Sequence, residues 1–567
     1  MFIYSLITAL LFLNPLLGLW GKALKNRNAA RAFLAENVLR YVTGVIVSFF
    51  IFYVGLIDFT WHGILNSFAV IIILNLILSA TASFYYYDRK VTWSNRAAFT
   101  LGCLAAVGMA YMWLIYPMQT ASDRHALPQA ETEVEVMESA DEENIRVVPY
   151  GNARYRSEIV FGDLDNSARY HLGESSIQTI DDELFWVSPI EFDGFFRWLT
   201  TDHVPGYIKI SAEDPNDQAE LVSEYEMSYV PSAYFGSNAK RMVRQEHEDI
   251  IIVSESFEPD DDGHPYYVFS YGYYEFFRHG NKADGVVVLD AVTGEMERYS
   301  LEDMPEFIDQ GVAEQTALNY ATWYGQYGGG FINRFIGRDG VTEPRRDEMI
   351  GVFGAEREMY WFVDHERPRG SGNTMVGFSM VNARTGEMTY YGGQEARGIL
   401  NGNAARDRVD RAFERERWVG TQPVLYSIYG QYTWVVPVVD RNNGFQKIAL
   451  VHADSGRVVS ADSRREVFNE YQNLLATGLD PDMDIPTDLA DEVEETLTVE
   501  RVTQSTDEGG TIVMILFEER NQIFTVPVNR SQLALFIEPG DELLVEYIDT
   551  GENMIAIQNY SNLSLNR

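Results

Sequence analysis

PYYVFSYGYYEFFRHGNKADGVVVLDAVTGEMERYS (residues 265–300) holds the pattern that decides how most of this chain folds. An aromatic, β-branched run leads through a polar loop into an alternating run, which meets a tight turn at Thr293-Gly294 and returns. Period-two alternation with glycine where φ must be positive predicts strand, turn, strand. The pattern recurs in MYWFVDHERPRGSGNTMVGFSMVNARTGEMTYY (residues 359–391) and YTWVVPVVDRNNGFQKIALVHADSGRVVSAD (residues 432–462), with turns at Thr385-Gly386 and Ser455-Gly456. A looser copy, FWVSPIEFDGFFRWLTTDHVPGYIKISAEDPNDQAELV (residues 185–222), lacks the glycine turn. The turn glycines lie 92 and 70 residues apart, a domain-sized period rather than that of a solenoid.

Between these runs, residues 233–247, 312–324, 404–416 and 463–475 place apolar side chains at helical spacing, as with Val467, Phe468, Tyr471, Leu474 and Leu475 in the last. A helix with a few antiparallel strands predicts an α+β unit whose sheet buries one face under the helix. In this setting VVVLDAVTGEMERY and its echoes resemble the close of PepSY-type repeats, small α+β units of exported bacterial proteins that end on a strand, a D-x-x-T-G-E turn and another strand. Asp290, Thr293, Gly294 and Glu295 fit that turn. Thr385, Gly386 and Glu387 fit with Asn382 in place of the aspartate, and the last copy departs to His452, Ser455, Gly456 and Arg457. YGQYGGGFINRFIGRDGV followed by GFSMVNARTGEMTYYGG is similar to a group of uncharacterised multi-spanning bacterial membrane proteins with a large extracytoplasmic domain. The resemblance implies exported binding or inhibitory modules and carries no catalytic residue with it.

The first fifth of the chain has a different character. Residues 1–20, 41–57, 64–87 and 97–119 lack Asp, Glu, Lys and Arg altogether. Each approaches the ~20 residues that cross about 30 Å of hydrocarbon, and a backbone in lipid must satisfy itself as a helix. Four transmembrane helices are expected, the first a retained helix rather than a signal peptide, since it has neither a basic n-region nor a small-residue cleavage site. Lys22, Lys25, Arg27, Arg31, Arg40, Arg89, Lys90 and Arg96 fall in the two loops on one side. Loops rich in Lys and Arg stay cytoplasmic, so the N-terminus and everything after Gln119 are expected outside. Asn66 and Asn75 are the most polar groups within the runs, which favours an anchor over a transporter.

Charge follows the same division. Of 44 basic and 83 acidic residues, residues 1–117 hold 8 and 3, leaving an exported part with 36 and 80. Phosphate backbones would be repelled by such a surface, so a nucleic-acid partner is excluded. The one cysteine, Cys103, falls in the fourth run, so the exported part must hold together without disulfides.

Domain boundaries follow from composition. Residues 1–119 form the membrane region and residues 120–145 an acidic disordered tether. Four α+β repeats are expected at residues 146–230 (divergent), 231–310, 311–393 and 394–477. A second acidic linker takes residues 478–495, and about five strands in residues 496–567 suit a small β-barrel of OB- or SH3-like type.

Catalytic spacings are absent: there is no H-E-x-x-H, no G-x-S-x-G and no phosphate loop. Asp480, Asp482 and Asp484 resemble a calcium loop, but Ile485 stands where the turn glycine belongs. Asp260, Asp261 and Asp262 before Gly263 read as a hairpin turn. No catalytic, cofactor or metal residue is therefore expected, and the recurring turn residues are the structural markers. Aromatic rings crowd residues 185–198 and 266–277, either buried between repeats or lining a groove for a peptide or glycan. The function expected is a non-enzymatic, membrane-anchored scaffold of the bacterial envelope, partnered by the lipid bilayer and an envelope protein or peptide. A regulator or inhibitor of an exported protease, and an enzyme built from sequence-distant carboxylates, are the alternatives.

Overall fold

The computed structural model describes residues 1–14, 27–86, 93–133, 137, 145–276, 280–345, 349–354, 358–368, 372–394, 396–476, 492–507, 510–518, 520, 522–528, 531–548 and 554–564. Among them three helices are long and apolar enough to cross a bilayer, with spans Ala30–Tyr53, Trp61–Ser79 and Phe99–Gln119. The expectation of four needs correction over the described residues. The first run forms only the helix Phe2–Thr8 and a 3-10 turn, Ala9–Phe12, before the backbone opens at Leu13. Asn14 precedes Pro15, and a residue before proline is driven out of the helical region. Eleven helical residues rise about 17 Å, little more than half the hydrocarbon. Residues 15–26 lie outside the described residues.

The short helix ends against polar side chains of its neighbours. The Asn75 amide donates to the carbonyls of Leu11 and Leu13 over 2.8 and 2.9 Å. Arg40 in turn donates to Asn75 Oδ1 (2.7 Å) and Ser79 Oγ (3.1 Å) and pairs with Glu36 at 2.8 Å. Arg40 was expected in a loop. It lies mid-helix in Arg27–Tyr53 because its partner one turn away offsets its charge and a helix C-terminus favours a cation nearby.

A large β-rich part follows. The segment expected as a disordered tether is folded over its described residues. The helix Ala121–Ala126 places His125 Nδ1 2.9 Å from the Tyr324 carbonyl, ring stacked on ring, and Arg124 over Phe276 and Trp323. The strand Glu131–Glu133 adds in parallel to the edge strand Met388–Tyr391. Acidic composition misses this because a few aromatic contacts outweigh the solvation of charges on the other side. Most of the remaining acids of that segment lie outside the described residues.

Four sheets come next, antiparallel apart from the added strand Glu131–Glu133, each entered from a helix: Tyr150–Gly162, Ala239–Glu246, Glu314–Tyr327 and Gly402–Ala412. The first of these helices carries no clear apolar stripe in the sequence. In the second unit the strands run Ile251–Phe257, Tyr266–Tyr274, Asn281–Asp290 and Met296–Ser300, each paired with the next. The third and fourth units repeat this meander through Met359–Glu366 with Gly377–Asn382 and through Gln431–Val439 with Phe445–His452.

Equivalence among the units extends to single hydrogen bonds. A fully buried alanine stands just past the strand that leads into the turn in each: Ala212, Ala291, Ala383 and Ala453. Its N–H donates to Leu184, Pro265, Met359 or Tyr432, and its carbonyl accepts from the segment entering the unit's helix, at Val148, Tyr229, Val312 or Leu400. An indole crosses the same gap in three units, with Trp186 donating to the Val148 carbonyl, Trp361 to Val312 and Trp434 to Leu400, over 2.8–2.9 Å. Only a small side chain fits where sheet and helix entry approach so closely, which accounts for alanine.

The first unit shares one apolar core with the second and another with the third and fourth, so the units pack as one body. The helix Arg464–Ala476 covers the last sheet. Residues 478–491 of the expected linker lie outside the described residues, and its end, from Glu492, already belongs to the long strand Glu492–Asp507. Five strands, closed by the parallel pair Ile523–Pro527 and Met554–Asn562, complete a small barrel.

Candidate functional site

The turn residues singled out from the sequence come together within each unit. Asp290 Oδ1 accepts the N–H groups of Val292 (2.7 Å) and Thr293 (3.0 Å), and the Thr293 hydroxyl accepts that of Glu295 (3.2 Å). Asn382 serves Arg384 and Thr385 identically at 2.8 and 2.9 Å. In the fourth unit His452 Nδ1 accepts from Ser455 N–H at 3.1 Å. Gly294, Gly386 and Gly456 take φ of +78°, +79° and +68°, a region costly for any Cβ. Each turn closes on its own unit, with Tyr229, Val312 or Leu400 as its neighbour. The divergent first copy keeps half the device: Ser211 Oγ accepts the N–H groups of Glu213 and Asp214. Its loop then runs on without the glycine.

Chemistry-bearing groups gather in two places. Around the second turn, His264 Nε2 lies 3.1 Å from Asp290 Oδ2, with its ring edge-on to Tyr225. Burial works to raise the Asp290 carboxyl, but the bonds from Thr293, Val292 and His264 outweigh it and hold it below the usual range. The acidic turn beside it is satisfied from within: Asp260 accepts the His264 N–H at 2.8 Å, and Tyr207 donates to the Gly263 carbonyl. Among the described residues no three of His, Cys, Asp and Glu are grouped to hold a metal ion. Residues 480–491, the other calcium-like stretch, lie outside them.

The second gathering went unseen in the sequence. Glu258 and Asp309 are both buried where the first, second and third units meet. The Asp309 N–H donates to Glu258 Oε2 (2.9 Å), Thr179 N–H to Asp309 Oδ2 (2.6 Å), and the Ser256 hydroxyl to Glu258 Oε1. Desolvation and the neighbouring carboxylate push Asp309 up to about 7, and burial raises Glu258 as well. Arg384, from the third turn, donates to the carbonyls of Met304, Pro305, Glu306 and Ile308 on the segment carrying Asp309. Two converging carboxyls are what a hydrolase would need, but these are sealed, and backbone N–H groups occupy their oxygens. The arrangement joins three units.

Buried histidines follow the same logic. His365 lies between Thr342 Oγ1 (3.0 Å) and Ser379 Oγ (2.8 Å), and burial drives it down to about 3, so it stays neutral. The crowded aromatics divide. Trp186, Phe192, Tyr267, Phe269 and Tyr271 are core, whereas Phe196, at the tip of the helix Phe195–Leu199, is exposed.

The β-rich part also grips the membrane helices. Arg244 Nε donates to the Leu56 carbonyl (3.0 Å), Phe59 N–H to the Glu248 carbonyl (2.9 Å), and the Met1 amino group lies 3.9 Å from Glu248. The guanidinium of Arg241 sits 4.3 Å over the Tyr53 ring. Met1, residues 54–60 and the segment after Leu114 therefore share one end of the helices. Arg27, Arg31 and Arg96 fall toward the other, about 40 Å away along Arg27–Tyr53.

No protein-family model and no curated protein matches the chain. Among solved structures, the polysaccharide lyase Uly1 aligns with 63% of this chain at 9% identity and a TM-score of 0.17, and the chain spans 57% of that protein's length. An endo-1,4-beta-xylanase from Bacteroides thetaiotaomicron VPI-5482 aligns with 52% of the chain at 12% identity and a TM-score of 0.16, over 76% of its own length. Scores at this level establish no common fold.

Proposed function

We propose that the chain is a membrane-anchored extracytoplasmic scaffold of a bacterial envelope, its α+β units of PepSY-like type and its terminal barrel OB- or SH3-like, presented to an envelope protein or peptide. One observation carries the orientation: of the bases expected in the loops between the helices, Arg27, Arg31 and Arg96 lie toward the end opposite the β-rich part. Loops rich in Lys and Arg stay cytoplasmic, and that leaves the anionic bulk outside. The uncharged first helix runs inward from Met1 on the same outer side.

The junction at Glu258, Asp309 and Arg384 supports a scaffold, because its polar groups are used to lock units to one another. Extended edges remain at Met296–Ser300 and Glu220–Val222, where a peptide strand can add. Protease treatment of intact cells, compared with inverted vesicles, tests the orientation: cleavage beyond residue 145 in intact cells is expected. Cleavage there only in inverted vesicles overturns it. Crosslinking from Met296–Ser300 in native membranes tests the partner, and an absence of any adduct to an envelope protein counts against the scaffold.

A further inference from the structure

Two exposed apolar patches border the ends of the spanning helices that face the β-rich part. In the first, Phe196, Leu199 and Phe235 are 72%, 61% and 53% exposed around the half-buried Trp198, whose ring lies 5.7 Å from that of Phe235. The patch is tied to a spanning helix through one side chain: Arg241 donates to the Phe235 carbonyl (3.2 Å) while it covers Tyr53, the last residue of Arg27–Tyr53. In the second, Ile332, Phe335 and Ile336 are 62%, 56% and 82% exposed. They project from and beyond the short helix Gly330–Asn333, which touches Tyr116–Gln119, the continuation of the third span.

Charge marks the same places. Beyond residue 117 acids outnumber bases 80 to 36, yet residues 195–199, 235–245 and 328–338 contain no Asp or Glu at all. They carry Arg197, Lys240, Arg241, Arg244, Arg334 and Arg338 instead. Aromatic and branched apolar tips on segments that carry bases and no acid have the composition of a surface that lies in a bilayer interface.

We infer that the β-rich part rests on the outer leaflet through these two footings, Phe196 with Phe235 on one side and Phe335 with Ile336 on the other, each dipping into the headgroup boundary. The inference rests on the anchor reading above, since it takes the helices to span. Lipid is the occupant because each patch runs directly into a spanning helix. Arg334, Arg338 and Arg241 suit anionic headgroups, and Arg197 and Lys240 beside them are paired with Asp193 and Glu255.

The test uses the full chain in vesicles of equal parts phosphatidylethanolamine and phosphatidylglycerol, with a spin label at one cysteine at a time. The native Cys103, exposed on the third span, reports the anchor. Phe196→Cys and Ile336→Cys, each with Cys103→Ser, report the footings. Tyr155→Cys, exposed on Tyr150–Gly162, reports a position that belongs to neither patch. Labels at 196 and 336 are expected to collide with oxygen and lose collisions with a water-soluble nickel chelate, as at Cys103 and unlike at 155. If either reads as aqueous while Cys103 reads as lipid, the footing is overturned and the anchor stands. If Cys103 reads as aqueous, both are overturned.

Discussion

The backbone N–H of Asp309 donates to Oε2 of Glu258 over 2.9 Å, which places two carboxyl groups in one sealed junction. Asp309 is held up near 7 against an ordinary value of 3.8. Between about pH 4 and pH 7 the unfolded chain has therefore released a proton that the folded chain keeps, so this group's contribution to stability falls as pH rises through that window. Asp309→Asn keeps an oxygen for the Thr179 N–H and cannot ionise. Thermal melts from pH 4 to pH 8 are expected to shift in the variant's favour as pH rises; parallel profiles would sink the assignment.

Arg384 is the cation nearest that junction. Arg384→Gln removes the clamp on four carbonyls and is expected to cost about 2–3 kcal/mol, in line with hydrogen bonds from a charged donor. Its charge also favours ionised Asp309 and Glu258, so the loss of stability with rising pH should steepen. Urea titrations at pH 5 and pH 8 check both, and an unchanged midpoint refutes the clamp.

Indole bonds offer a comparison between units. Trp361→Phe and Trp434→Phe leave the Val312 and Leu400 carbonyls unsatisfied in the core and should each cost about 1–3 kcal/mol. The second unit has Tyr267 at the matching register, opposite Leu289, and its buried hydroxyl finds no hydrogen-bond partner among the described residues. Tyr267→Phe is expected to be neutral or stabilising. Circular-dichroism melts of the three variants decide the matter, and a destabilised Tyr267→Phe would show that its hydroxyl is used.

The turns are expected to tolerate exchange at one position and resist it at another. Thr385→Ser copies the fourth unit, where Ser455 accepts the equivalent N–H, and should stay within about 0.5 kcal/mol of the parent. Gly386→Ala meets φ of +79° and Val312 at 3.4 Å, and should cost about 1–2 kcal/mol. Amide exchange at Met388–Tyr391 reads the local effect, and equal protection in both variants would show that the turn does not limit the hairpin.

Much of the fold was legible locally. Alternation with a Thr-Gly or Ser-Gly turn placed the hairpins ending at Asp290, Asn382 and His452, because a positive φ leaves its mark in the residue that tolerates it. Ser211, which caps the same turn in the first copy, was not legible: serine occurs in many loops, and only its register beside Ala212 identifies it. The tether was misread because Arg124 and His125 find their rings on distant segments.

The sequence by itself determined which stretches are greasy enough to span, on which side the bases gather, and that strands recur with a domain-sized period. These are properties of neighbouring residues, governed by backbone sterics and transfer from water. Tertiary structure decided that Glu258 and Asp309 share a closed junction, and that Phe196 and Ile336 emerge beside the spanning helices. Those facts depend on which distant segments meet, and chain closure brings them together by packing whole units, a cause no local pattern records.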